Sequence, residues 1–382
     1  MRVLHVSGFA LTALALVESV ALLGYFKRQT DHANLARTVI ANRFTPQFRV
    51  QLVKTLGGDK VYHGGGAIND YGQVVGATLT AQGEWHAFLW DCSSLVDLGT
   101  LGGSTSSAWA INNGGQVVGR SDTSFGEHAF LWEKGKILDL GTLPSYTHSA
   151  AMGINDQGKI VGRVYRPTQG PYWTWPSRAF CWKGGRMAEL GLPRGCVNAQ
   201  ASAINSGGQI VGRAVDRAGR TRAIIWDRGT TVDLGQLTNR AISAATCINN
   251  KGQIVGSAGD AAGSMRAVMW ERNVHMDTWA VRWLPTLPYH TDNLATVITN
   301  DGTIYGSAKV GSEYAPAVVW EANSSKPRGV IMDMLRPDSE WFISQVFAVN
   351  NQGQLLVYGF HGNEKERLAV LSPATQSEQV SQ

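Results

Sequence analysis

The chain is poor in charge. Only 16% of its 382 residues are Asp, Glu, Lys or Arg, against roughly 25% in average globular domains. The 34 basic and 29 acidic residues are scattered, so the formal charge of +5 forms no basic stripe, and a nucleic-acid partner is not expected. Cysteine is scarce as well. Cys92, Cys181, Cys196 and Cys247 show no C-x-x-C or other metal spacing. In an exported protein they would permit disulfides, with Cys181 to Cys196 as the candidate bridge, but Cys181 fills a position held elsewhere by Leu, Ile, Met or Val and reads first as a small buried hydrophobe. No segment after residue 50 has the 3.6-residue apolar period of an amphipathic helix, which excludes a helical solenoid. Gly-x-Ser-x-Gly, phosphate-loop, dinucleotide and His-Glu-x-x-His signatures are all missing, and no cofactor or metal is implied.

Glycine (44) and tryptophan (13) are abundant instead, and they recur in order. The phrase Ile111-Asn112-Asn113-Gly114-Gly115-Gln116-Val117-Val118-Gly119 is followed by His128-Ala129-Phe130-Leu131-Trp132 and then Leu138-Asp139-Leu140-Gly141-Thr142-Leu143. Copies of its Ile-Asn begin at Ile68, Ile111, Ile154, Ile204 and Ile248, with degraded copies at Ile298 and Val349, spaced 43, 43, 50, 44, 50 and 51 residues apart. A period of this size belongs to solenoids or propellers. Runs of β-branched and aromatic residues between Gly and Asn give four strands per copy. Four antiparallel strands in seven copies predict an all-β fold, a seven-bladed β-propeller.

The ends support closure of the ring. The seventh copy stops after Leu368-Ala369-Val370-Leu371, without an Asp-Leu-Gly-Thr-Leu, whereas Gln51 to Gly58 precedes the first Ile-Asn and resembles a fourth strand. The N-terminal strand is therefore expected to complete the last blade and hide its edge. Tight turns such as Asn69-Asp70-Tyr71-Gly72 should lie on one rim. Longer insertions, between strands two and three or between strand four and the next blade, should lie on the other.

Two positional patterns read as framework. Trp90, Trp132, Trp182, Trp226, Trp270 and Trp320 share one repeat position among apolar neighbours, which favours packing between sheets. His86 and Asp97, His128 and Asp139, Arg178 and Glu189, Arg222 and Asp233, and Arg266 and Asp277 are each 11 residues apart across the hairpin of strands three and four, where such pairs fix register.

The strings His86-Ala87-Phe88 and His128-Ala129-Phe130, together with Asp97-Leu98-Gly99-Thr100-Leu101-Gly102-Gly103 and Ala110-Ile111-Asn112, resemble the HAF-repeat family of probable extracellular bacterial proteins. The resemblance covers about residues 50 to 371 and implies export and a repeat fold. It carries no activity and no functional residue.

Residues 1–28 read as a secretory signal, with Arg2 before the apolar run from Val3 to Val17. An uncleaved anchor over residues 3–26 is the alternative, and the membrane would then be a partner only through that segment. Residues 29–48 read as a spacer, 49–372 as the propeller and 373–382 as a disordered tail.

Function is expected on the insertion rim, because loops on a rigid scaffold carry binding and chemistry. The insertion from Arg163 to Arg178 offers Tyr165, Arg166, Tyr172, Trp173 and Trp175 as ligand contacts, with aromatic faces beside Arg. Connections between blades carry Tyr62-His63, Tyr146 with His148, and Tyr289-His290 with Asp292; His148 and His290 are the catalytic candidates if these connections converge. A third stretch, Thr278 to Leu287, presents Trp279, Arg282 and Trp283 as an insertion after a fourth strand. The preferred reading is a binding module for carbohydrate or another envelope or extracellular polymer. A lyase or hydrolase on the same rim and a protein-interaction scaffold are the alternatives.

Overall fold

The computed structural model describes residues 48–374 apart from 63, 170–174, 236–241, 261–262, 274–277, 288–289, 291, 310–315, 323–326, 336–338 and 363–365. The readings of residues 1–28 and 29–47, and of most of the tail, lie outside these. Within them the chain is a seven-bladed β-propeller of antiparallel sheets. Blade 2 shows the pattern: strands Ser106–Ile111, Val117–Asp122, Glu127–Glu133 and Lys136–Asp139 run from the channel outwards in sequence order. Blade 7 closes through an N-terminal strand as expected, but that strand is Phe48–Leu52, paired outside Glu366–Pro373, and not Gln51 to Gly58, whose Gly57 and Gly58 open the inner strand of blade 1. Blade 1 departs from the pattern, because its inner strand is split into Gly57–Val61 and Ala67–Ile68.

The glycine that ends Gln-Val-Val-Gly has a steric cause. In blade 2 the inner strand slips register between Ala108 and Ala110 opposite Gly119, and a Cβ on Gly119 would lie 1.9 Å from the Ser107 carbonyl oxygen. Gly162, Gly212, Gly256, Gly306 and Gly359 meet the same close approach. Any side chain there would force the two central strands apart.

Blades pack through apolar layers, since both faces of every sheet meet a neighbour. The repeated tryptophan lies within those layers. Trp90, Trp226, Trp270 and Trp320 are buried, and the indole N–H groups of Trp226 and Trp320 donate to the Gly191 and Pro285 carbonyls of the preceding blades at 2.7 Å. The Ala after each His or Arg is buried too, and in four of the five blades its N–H donates to a Ser or Asn at the next inner strand: Ala87 to Ser106, Ala129 to Ser149, Ala223 to Ser243 and Ala267 to Asn293, at 2.7–2.9 Å. All four cysteines are free thiols. Cys181 packs as a partly buried hydrophobe, so the bridge to Cys196 is not formed.

The 11-residue pairs hold in four blades. His86–Asp97 and His128–Asp139 meet at 2.8 Å, Arg178–Glu189 at 2.9 Å and Arg222–Asp233 at 3.2 Å. The acid in each stands opposite the residue two beyond the base, as Asp139 does opposite Phe130. Blade 5 corrects the fifth pair. There Trp283 stands opposite Val268, and the Arg266 guanidinium lies over the Trp283 ring at 5.1 Å; Asp277 itself is outside the described residues. Thr278–Trp283 is accordingly the outer strand of blade 5 and not an insertion after it. A longer hairpin moved the strand along the sequence while the 11-residue spacing persisted by coincidence.

Candidate functional site

The two rims divide the polar residues between them. On the tight-turn rim, the Asn of each Ile-Asn holds its own turn, as Asn69 Oδ1 does by accepting from the Tyr71 and Gln73 N–H groups at 3.1 and 3.0 Å. The same side chains also reach sideways. Nδ2 of Asn69, Asn112, Asn155, Asn205, Asn249 and Asn350 each donates to the carbonyl of the equivalent residue in the next blade, at 2.9–3.2 Å. The step from Asn350 to Asn69 closes the circle. Blade 6 carries Thr299 instead, and Asn300 donates to Asn351 Oδ1 at 2.9 Å. A second tier uses the following residue: Asp70 receives both the N–H and Nδ2 of Asn351, at 2.8 and 2.9 Å, and Nδ2 of Asn113 at 2.9 Å. Burial alone would raise the Asp70 pKa, but these donors outweigh it and hold the carboxyl below its ordinary value. The belt surrounds the channel mouth, where all seven blades line a cavity of about 550 Å³.

The insertion rim is open where blades 1, 2 and 3 meet, in a pocket of about 800 Å³. Its origin is visible in blade 1. Gly64-Gly65-Gly66 interrupt the inner strand, and Trp109 of blade 2 fills the space beside them: a Cβ on Gly65 would lie 3.2 Å from Trp109 Cδ1. Glu127 stands at the centre of the polar contacts. Its Oε2 meets Arg120 Nη1 at 2.5 Å, and its Oε1 accepts from the Tyr165 hydroxyl at 2.5 Å. The Arg120 guanidinium lies over the Trp109 ring at 5.0 Å, and Nη2 donates to the Tyr62 hydroxyl at 3.3 Å. Tyr165 is enclosed in turn. His148 lies 5.1 Å from it, Trp175 stacks on it at 5.8 Å, and the Arg163 guanidinium lies over it at 4.6 Å. Phe125, in the loop that carries Gly126 and Glu127 into the pocket, is 91% exposed.

Of the sequence candidates, Tyr165, Trp175 and His148 come together in this pocket, with Tyr62. Arg166 is exposed outside its lining, and Tyr172 and Trp173 lie outside the described residues. His290 is not among the pocket residues, and nearby Asp292 is engaged, accepting from the Met265 N–H at 2.7 Å. The two candidate histidines therefore do not converge on this pocket. Trp109, Arg120 and Glu127 were missed because they lie in strands that read as framework, and Arg163, the first residue of the expected insertion, lies instead within the strand Ile160–Tyr165. A signal was present: the repeated Val-Gly is followed by Arg only at Arg120, Arg163 and Arg213.

The acid and base groups here are already committed to the protein. Burial, and then the Glu127 carboxylate, push the Tyr165 pKa far up, so the phenol stays protonated as a donor. Burial lowers the His148 pKa and keeps the ring neutral. Its Nδ1 lies 2.9 Å from Thr147 Oγ1, and its Nε2 is 3.0 Å from where a Cβ on Gly126 would stand. Among the described residues no group of three or more His, Cys, Asp and Glu is placed to hold a metal.

No family model matches the chain, and no curated protein does. Solved structures share its fold. A puromycin hydrolase is 11% identical with a TM-score of 0.56, over 87% of this chain and 52% of its own. A puromycin-hydrolyzing peptidase of Mycobacterium tuberculosis is 11% identical with a TM-score of 0.55, over 87% and 55%. YCF48 bound to D1 peptide is 8% identical with a TM-score of 0.52, over 87% and 96%. This chain spans about half the length of the two hydrolases. At these identities the likeness is one of fold.

Proposed function

We propose that the chain is a binding propeller whose pocket between blades 1 and 3 grips a segment of a protein partner. The observation that carries this reading is the exposed Phe125 on the lip of a cavity walled by Trp109, Tyr165, Trp175 and Arg120. Trp, Tyr and Arg are the residues that dominate protein interfaces. A solvent-exposed phenyl ring beside such a pocket is the arrangement a partner would cover. YCF48, a propeller of the same fold, is bound to D1 peptide; that agrees with the reading without transferring its ligand.

The carbohydrate preference drawn from the aromatic residues beside Arg in the Arg163 to Arg178 insertion needs aromatic faces free to stack on sugar. Trp175 stacks on Tyr165, and Arg163 and Arg120 lie over Tyr165 and Trp109, which shifts the preference to a protein segment. An enzyme reading would have to recruit His148 from its contacts with Thr147 and Gly126. The HAF-repeat resemblance and the signal-like residues 1–28 add export to the proposal. Recovery from the cytoplasm with residues 1–28 intact would remove that part.

The test compares the two rims. A photo-crosslinking phenylalanine analogue is placed at Phe125, and a second at Tyr71, which is 77% exposed on the tight-turn rim. The expected result is partner adducts from position 125 and none from 71. Adducts from 71 alone, or equally from both, would overturn the assignment of the pocket.

A further inference from the structure

Several arginines of this propeller are answered by an acid or an amide. Arg178 pairs with Glu189, Arg222 with Asp233, Arg220 with Asp216 and Arg120 with Glu127, and Arg213 donates to Gln200. Arg163 differs. It is half-buried in the pocket wall, it forms no ion pair among the described residues, and its Nε is buried without an acceptor. Arg222 Nε is buried without an acceptor too, but its Nη atoms reach Asp216 and Asp233; Arg266 shares the stacked posture and the unanswered Nε but does not line the pocket. A charge withdrawn from water without a partner is unfavourable, and proteins normally supply one.

The surrounding charges leave Arg163 unanswered. Glu127 is taken by Arg120 and Tyr165, and Asp122 accepts from the Thr105 hydroxyl at 2.6 Å. The lining thus balances two Arg against two carboxylates, yet both carboxylates are held at blade 2. Stacking on Tyr165 fixes the plane of the Arg163 guanidinium. A stacked guanidinium keeps its N–H edge available, and that edge matches the two oxygens of a carboxylate.

We infer that the pocket selects a protein segment presenting an acidic side chain, whose carboxylate seats on Arg163 beside the Tyr165–Trp175 stack. This rests on the reading of the pocket as a protein-binding site and names what the site recognises. An Asp or Glu of the partner would supply the missing anion, and apolar neighbours in the same segment would cover Phe125.

Two labelled libraries of short peptides test it, one with glutamate fixed at a central position and its twin with glutamine there. The unmodified protein is expected to retain the glutamate library about tenfold more tightly or better, the return for one charge-assisted hydrogen-bonded pair. R163Q should bring the two libraries level by weakening only the glutamate one. R163K, which keeps charge and loses the fork, should keep part of the preference and guards against misfolding of R163Q, with thermal unfolding of both variants as control. Equal retention of the two libraries by the unmodified protein would overturn the acidic specificity and leave the protein-binding reading standing. Retention of neither library, with an oligogalacturonate retained instead, would overturn both.

Discussion

The two rims of the ring use similar polar residues to opposite ends. On the tight-turn rim Asn and Asp bond to one another around the full circle, so that the donor of one blade meets the acceptor of the next, from Asn69 through to Asn350 and back. At the pocket on the insertion rim the polar contacts join three blades only, and Arg163 in its wall has no acid among the described residues. A polar network that closes on itself holds a structure together; one that ends on an unpaired charge has room for something else. The same ring is thus a clasp on one face and a socket on the other.

The sharpest way to break this contrast is to cut the clasp. Asn112 is buried, and its side chain bonds to Gln116 and to the Asn155 carbonyl. Asn112→Leu should lower the unfolding free energy by about 3 kcal/mol in urea, because the Gln116 N–H and the Asn155 carbonyl lose partners away from water; a loss below about 1 kcal/mol would mean that the belt is ornament. The belt can also be completed. Thr299→Asn places an amide where the other six blades have one and should add about 1 kcal/mol, read as a higher Tm; an unchanged Tm would show that Asn300 already does the work of the missing link. The smallest effect on stability belongs to the socket. Phe125→Ser should shift the unfolding midpoint by no more than about 0.5 kcal/mol while partner capture falls, and a large destabilisation would make Phe125 part of the framework after all.

What the sequence made legible was whatever repeats. Blade number, strand order, the closing strand and the buried tryptophans follow from a period and an alternation, both visible along one dimension. The Asn was legible only as a turn residue, because its second bond runs to a residue 43 to 50 positions away, which turn chemistry cannot reveal. Arg266 and Asp277 show the opposite hazard, in which a spacing shared with four blades survived in a fifth whose hairpin had grown. The pocket was half legible. Trp175 sits in an insertion that draws notice, and Tyr165 and Arg163 share the strand Ile160–Tyr165 that leads into it, whereas Glu127 belongs to a strand that repeats. Their importance arises from the gap at Gly64 to Gly66 in another blade, a relation that exists only after folding.

The pairing of Phe48–Leu52 with Glu366–Pro373 sets an order of assembly. During synthesis Phe48–Leu52 must wait for Glu366–Pro373, more than 300 residues later, and until then blade 7 and that strand each expose a bare edge. Six blades can form as they emerge, each on local contacts, but the final registration joins distant ends of the chain and is slow for that reason. The vulnerable species in the life of this protein is therefore a nearly complete ring with an open seam, and a chaperone or protease would meet it there.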